Sequence, residues 1–510
     1  MVKKEMIVRK DSDDDKENEK IRLQVLSNLN RGNREDKEYA TEILVKKILN
    51  ESHIYTTKTD KIPEMFIYKE GIYVEEGESE TKIMIREIME ENYSDFLAQQ
   101  VLDKIKIDTF IEPKILFEEK NPYEIAVKNG ILNLKEKKIY SFSPKKIFFS
   151  KIPVTYNEKS KVDKIDKFLS DILSCPEDKL VLYEVAGMGL IKEYLMEKAI
   201  MMVGNGRNGK SKLIELLKQF IGSENCSSVP LSALSIDSPF LQSLWKKHLN
   251  LAGDIHASDL KETATFKGVT GRDTISANRK YKNTIQFVNY ATLIFSCNEL
   301  PRVYDYSDGF WERWILLEFP FHFVDENIYN AEKDKKNIKI KDPEIINKII
   351  NDQEMSGLLN EAIEGLHRLM TNKKFSYTWG TAEVKNKWIR KSDSFMAFCM
   401  DCLEENFEER ISKAEIRSKF SAYCRKHKIR GVGDKSMKIT LQEMFGADEG
   451  YGFVKNNDRN EHYWAGIKFK DNLQSMIEEQ EQPTNQNLPT NQPQPLQNKK
   501  IDEKGKQTSL

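Results

Sequence analysis

Gly204, Gly206, Gly209, Lys210 and Ser211 carry the densest chemistry in this chain. With Asn205, Arg207 and Asn208 between them they spell G-x-x-x-x-G-K-S. Glycines at that spacing let the backbone curl until successive N–H groups converge on an anion. The apolar run Ala199–Val203 stands before them, and the helix-like stretch Lys212–Phe220 follows. Strand, glycine loop and helix in that order bring the positive end of a helix to a phosphate chain. The spacing predicts a nucleoside triphosphate site, with Lys210 reaching the β- and γ-phosphates and Ser211 holding Mg²⁺.

Further along, three more residues stand where such a site needs them. His248–Ala252 is an apolar run that leads to Asp254, an acid suited to Mg²⁺ or to activating water. The run Ala291–Cys297 ends in Asn298, whose amide can bond a phosphate oxygen or the attacking water; a loop-capping role is the plainer alternative. Arg313 precedes the apolar run Trp314–Leu317 and is a candidate arginine finger, with a surface ion pair as the alternative. Between Asp254 and Asn298, two β-like runs flank Arg279, Lys280, Tyr281 and Lys282. That tip suits a phosphate backbone and a stacked base, or else is a solvated hairpin.

The rest of the chain must position these groups. Its 510 residues imply several domains, and 39% hydrophobic with 10% aromatic residues suffice for sizeable cores. Lys+Arg (80) and Asp+Glu (81) nearly cancel, so any nucleic-acid site must be a local patch. No apolar run has membrane-spanning length and the start lacks a signal-peptide core. A cytoplasmic location with six reduced cysteines is therefore expected.

Residues 1–35, including Asp11–Asp15, read as a disordered charged stretch. Residues 36–190 read as an α+β domain, with a hairpin over Met65–Val74 that turns at Gly71. Residues 191–375 read as a P-loop NTPase domain with a parallel sheet. Residues 392–470 read as helices Phe395–Phe407, Lys413–His427 and Ser436–Phe445, then Gly446–Gly452 and two short strands, Phe453–Lys455 and Tyr463–Phe469, around the polar loop Asn456–Glu461. That is a winged-helix pattern. The Gln/Asn/Pro-rich residues 474–510 read as a disordered tail.

The order of these motifs resembles the superfamily 3 helicase core of phage and plasmid replication proteins. That group includes the primase-helicases of phage satellites and the poxvirus replicative helicase. The shared order is P-loop, apolar run with acid, Val269-Thr-Gly-Arg-Asp273 with its basic hairpin, Ser296-Cys-Asn-Glu-Leu-Pro301, then Trp311-Glu-Arg313. Asn121–Leu134 and the hairpin near Gly71 resemble the domain that precedes that core. The fold implied is a multidomain α/β protein with an AAA+-like core, an α+β N-terminal domain and a C-terminal winged helix.

The resemblance implies an ATP-dependent DNA helicase, usually moving 3′ to 5′, that assembles as a homo-hexamer and threads single-stranded DNA through a central channel. A replication polymerase or a separate primase would be its partner. Lys210, Ser211 and Asp254 would bind ATP and Mg²⁺, Asn298 would be the sensor, and Arg313 would reach a neighbour's ATP. Two departures stand out. Asp254 is a single acid where the family often has a pair or a glutamate, and Glu312 precedes Arg313 where paired arginines are common, which leaves Arg302 as a second candidate finger. About 60 residues precede the recognisable region, too short for a primase fold, so no primer synthesis is expected. An ATP-switched, origin-binding initiator without processive unwinding is the alternative.

Cys399-x-x-Cys402 and Cys424-x-x-His427 have spacing that could bind zinc. Both pairs also fall on amphipathic helices, where cysteine serves as a small apolar residue, and that is the expected role.

Overall fold

The computed structural model describes residues 12–477, except 119, 235–238, 254–259, 261, 280–283, 306, 428 and 455–459. The chain divides into two compact units at Ser392/Asp393.

In the first unit, residues 12–31, expected to be disordered, form the helix Ser12–Arg31. Ile21, Val25 and Leu29 recur every four residues within the charge-dense stretch, and Val25 is fully buried in a core that also holds Leu44, Ile48 and Ile88. Charge hid this stripe in the composition, yet the periodicity suffices once a second helix, Arg34–Glu51, offers a complementary face. The Arg22–Glu90 and Lys47–Glu17 ion pairs, at 2.6 and 2.9 Å, fasten the polar edges.

Two small sheets follow. One is ordered Ile72–Val74, Met65–Lys69, Ile54–Thr57, Phe110–Ile111; the other is ordered Lys138–Tyr140, Gly130–Asn133, Glu124–Val127, Lys151–Ile152. The hairpin over 65–74 turns through Glu70 and Gly71, both with positive φ (46° and 97°), as a two-residue hairpin turn requires.

The centre of this unit is a five-stranded sheet: β1 (Ala199–Val203), β2 (Cys226–Ser227), β3 (Leu249–Ala252), β4 (Thr292–Cys297) and β5 (Trp314–Glu318). Its order is β2-β3-β4-β1-β5, and every pairing is parallel. β1, β3 and β4 are buried along their whole length, which is the pattern of a sheet covered on both faces. One extensive core joins it to the helices Lys164–Ile172, Pro176–Met188, Lys210–Ile221 and Asp352–Asn372. No helix among the described residues is long and apolar enough to cross a membrane.

The second unit contains the helices Ser394–Cys402, Lys413–His427 and Asp434–Phe445 and the short helix Leu473–Ile477. Its antiparallel sheet is ordered Leu403–Ser412, Asn460–Phe469, Asp448–Phe453. The helix expected over 395–407 ends at Cys402, and Leu403–Ser412 is a strand. Cross-strand pairing from Leu403↔Phe469 to Ser412↔Tyr463 overrides the helical preference of its glutamates. The strand expected from Phe453 begins earlier, as Asp448–Phe453, and the one expected from Tyr463 begins at Asn460; residues 456–459 of the expected loop lie outside the described residues. Gly450 lies under the Tyr463 ring, where a Cβ would sit 2.3 Å from the ring, so glycine here is a packing requirement rather than a turn signal.

Candidate functional site

The glycine loop leaves the carboxyl end of β1 and enters the helix Lys210–Ile221, as the motif predicts. A Cβ at Gly204 would stand 2.4 Å from both Asn208 Nδ2 and the Phe319 carbonyl oxygen. Gly209 has φ 91°, and a Cβ there would meet Ile172 at 2.5 Å. Arg207 also has positive φ, and Phe323 N–H donates to its carbonyl at 2.8 Å. His322 Nδ1 lies 3.0 Å from the Gly206 carbonyl oxygen. Asn208 is buried, and its Nδ2 donates to the Phe319 carbonyl at 3.4 Å. Asn205, Gly206, Arg207 and Ser211 are exposed. The helix has no capping side chain at Gly209, so its positive end is not closed off there.

Lys210 is only 4% exposed. Its ammonium donates to the Gly204 carbonyl, to Asn208 Oδ1 at 3.2 Å and to Asn298 Oδ1 at 3.3 Å. These oxygens satisfy a buried cation and stand where phosphate oxygens could replace them. β4 pairs with β1 in the register Cys297↔Val203. The residue after each strand, Asn298 and Gly204, therefore leaves the sheet at the same level. Two residues 88 positions apart are thus brought together at the carboxyl edge of one sheet, where open α/β folds bind ligands. The third group, Asp254, lies outside the described residues; β3 ends at Ala252, in register with Phe295.

Arg313 is placed elsewhere. Trp314 pairs with Ala199, so Arg313 lies at the amino edge of β5 while the glycine loop lies at the carboxyl edge of β1. Five strand residues separate those levels, roughly 16 Å. Arg313 Nε donates to Thr270 Oγ1 at 2.9 Å, Nη2 pairs with Glu197 at 3.0 Å, and Nη1 donates to the Gly309 carbonyl. The adjacent Trp314 stacks on Phe266 at 4.7 Å. Arg302, the second candidate, accepts the Leu260 N–H at its carbonyl, 2.8 Å away.

The expected hairpin exists. Thr274–Ala277 pairs antiparallel with Ile285–Val288. Lys280, Tyr281 and Lys282 lie outside the described residues. Arg279 forms a 2.6 Å ion pair with Glu64, both side chains 10% exposed, and its guanidinium lies 4.9 Å over the Trp245 ring. The next residue after Trp245, Lys246, places its ammonium among Phe149 (3.7 Å), Phe117 (4.1 Å), Trp245 (4.2 Å) and Phe66 (4.9 Å). Sequence reasoning missed Glu64, Trp245 and Lys246. Their only local signal is a lysine beside a tryptophan, and the aromatic residues come from three distant segments.

In the second unit, Cys399, Cys402 and Cys424 are buried in the apolar core. His427 Nε2 lies 3.3 Å from the Met476 carbonyl oxygen, and its ring packs on Tyr423 at 4.2 Å.

Residues 24–174 match the family described as D5 N terminal like, and residues 202–313 match a family of unknown function, DUF5906. The DUF5906 region opens inside β1 and closes at Arg313, so it contains the glycine loop, Asn298 and the hairpin. Glu64 belongs to the D5 N terminal-like region, so its ion pair with Arg279 ties the two matched regions together.

A protein of Acanthamoeba polyphaga mimivirus described as "Putative helicase" is 35% identical over 136 residues, which is 25% of this chain and 14% of that protein. One of Sputnik virophage, with the same description, is 22% identical over 282 residues, 52% of this chain and 35% of that protein. The chain thus spans a minor part of these viral relatives. Among solved structures, the A form apo structure of the NrS-1 C terminal region is similar at TM-score 0.42 and 15% identity, covering 80% of this chain and 87% of that one. A second apo structure of that region has TM-score 0.38 and 14% identity, covering 83% and 98%.

Proposed function

We propose that this chain is an ATP-driven motor that unwinds or translocates on DNA during replication of a phage, virus, plasmid or integrated element. The observation that carries the reading is the 3.3 Å approach of Lys210 Nζ to Asn298 Oδ1 at the carboxyl ends of adjacent parallel strands. The order β2-β3-β4-β1-β5 supports an AAA+-like superfamily 3 core. The relatedness to viral proteins described as helicases supports a motor that separates nucleic-acid strands.

The phosphates of ATP would take the Lys210 ammonium from its protein oxygens and bond the loop N–H groups. Ser211 and Asp254 would hold Mg²⁺, which neutralises charge on the phosphates. Asn298, released from Lys210, would then orient water toward the γ-phosphate. Because Arg313 lies at the amino edge of the sheet, it would serve a neighbouring subunit's site, which requires a ring; a homo-hexamer fits that need. The hairpin ending at Lys280–Lys282 would follow the strand, and the second unit would act as a winged helix.

Lys210→Ala tests the reading: ATP hydrolysis and strand separation should both vanish. Unwinding retained by that variant overturns it.

One observation favours the alternative of an ATP-switched initiator. Arg279 at the hairpin tip is engaged by Glu64 rather than open to a strand. Sequence-specific duplex binding with no ATP-dependent strand separation would establish that alternative.

A further inference from the structure

The second unit has an unusual face. Its floor is Trp464, 4% exposed, at the bottom of a groove of about 280 Å³ between the helices Lys413–His427 and Asp434–Phe445 and the strand hairpin. The rim carries four cations, Lys413, Arg417, Lys435 and Lys438, against two carboxylates, Asp434 and Glu449. Glu449 pairs with Lys413 at 3.0 Å and Lys438 at 3.3 Å, while Asp434 Oδ1 accepts from Arg417 Nε at 2.9 Å. These are solvent-facing pairs whose strength is modest, so a phosphate can displace the carboxylates at little cost.

Strand register carries this face outward. Glu449 pairs with Trp464, Tyr451 with His462 and Phe453 with Asn460, so all six side chains project from the same side of the sheet. Beyond Glu449, that side leaves the helices and presents two large aromatic residues to solvent: Tyr451 is 64% exposed and Phe453 67%. The Tyr451 and His462 rings lie 5.0 Å apart. Two aromatic side chains in alternate positions of an edge strand lose burial for no gain in the core, which marks a binding surface.

We propose that this face binds single-stranded nucleic acid, with phosphates along Lys413, Arg417, Lys435 and Lys438 and unstacked bases on Tyr451 and Phe453. Cations beside exposed rings are the two elements of a sequence-tolerant strand site. A closed duplex keeps its base faces stacked and offers nothing to the rings. A protein partner fits less well, because interface centres are depleted of lysine and acidic residues, and Lys413, Lys435, Lys438, Asp434 and Glu449 line the groove itself.

The test uses the full chain without nucleotide, so its outcome is separate from the ATPase reading. The probes are an oligothymidylate, the same length of duplex, and a 2-aminopurine oligonucleotide whose fluorescence is quenched on stacking. Tyr451→Ala with Phe453→Ala should weaken single-strand binding on the order of tenfold or more and abolish the added quenching. Duplex affinity should be unchanged, and Phe453→Trp should retain the quenching. Phe407→Ala, at an equally exposed aromatic on another strand (86%), should have no effect. Unchanged single-strand affinity in the double variant, or equal losses on single strand and duplex, overturns the proposal. So does an unchanged affinity accompanied by loss of self-association in sedimentation, which would assign the rings to a protein interface.

Discussion

Glu64 and Arg279 meet at 2.6 Å across 215 positions of sequence, with both side chains largely withdrawn from water. The pair fixes the tip end of the hairpin, just past Ala277, to the residue that precedes the strand Met65–Lys69. Glu64→Ala leaves a guanidinium in a poorly solvated place without this carboxylate, and should cost about 3 kcal/mol. Arg279→Ala should cost a similar amount. The double variant should lose clearly less than the sum, because neither charge is then stranded. Urea denaturation of the four proteins measures the coupling; strict additivity would show that the pair contributes nothing as a pair.

Asn298 touches Lys210 without burying itself, so its removal should spare the fold. Asn298→Ala is expected to lower ATP turnover on the order of a hundredfold and to change nucleotide affinity only a few-fold. Lys210→Ala should lose both. Turnover and equilibrium binding of a fluorescent nucleotide separate the two outcomes.

Arg313 stands at the far edge of the sheet from the glycine loop, so a catalytic role must be exercised on another copy. Arg313→Ala and Lys210→Ala should each be inactive alone. Mixed, they should regain measurable hydrolysis, because some interfaces then combine an intact Lys210 with an intact Arg313. No recovery on mixing, with oligomers present by sedimentation, would confine Arg313 to holding Thr270, Gly309 and Glu197. Thermal melting of Arg313→Lys, which keeps the charge but loses the fork, checks for a purely structural loss.

His248 is 1% exposed, with Nε2 2.7 Å from Ser150 Oγ and Nδ1 2.8 Å from the Gly189 carbonyl oxygen. Burial first, then the charges of Lys192 and Lys247, push its pKa down to about 4, against an opposing bond from Gly189. Above the unfolded value near 6.5 both states hold the neutral ring, and the contribution to stability is complete. As pH falls from there toward 4, only the unfolded chain takes up the proton, and up to about 3 kcal/mol is lost.

Asp178 titrates in the opposite sense. Burial, with Glu177 and Glu318, raises it to about 6, so its protonation favours the fold as pH falls. The readout is therefore the difference between wild type and His248→Gln in urea at pH 7, 6 and 5. That difference should shrink with falling pH; a constant difference would refute the assignment.

The glycine loop, the hairpin at Gly71 and the helix Lys413–His427 were readable because each is encoded within a few neighbouring residues. The stretch Leu403–Phe407 was misread as helix because glutamates favour that state locally, and only pairing with the strand Asn460–Phe469 reverses it. The N-terminal helix was missed for a similar reason. Its apolar stripe is sparse, and a partner helix is needed to make it count.

The sequence by itself determined the chemistry available: a loop that can curl around phosphates, a lysine and a hydroxyl beside it, an amide after an apolar run and a basic hairpin. Local spacing decides such features, since they depend on backbone freedom and side-chain type within one segment. Only the tertiary structure decided which of these groups meet. Parallel register set Asn298 beside Lys210 and sent Arg313 to the opposite edge, because neighbouring strands fix each other's level residue by residue. Packing also brought Glu64 to Arg279 and carried Tyr451 and Phe453 into solvent, outcomes that depend on what each side chain finds across the fold.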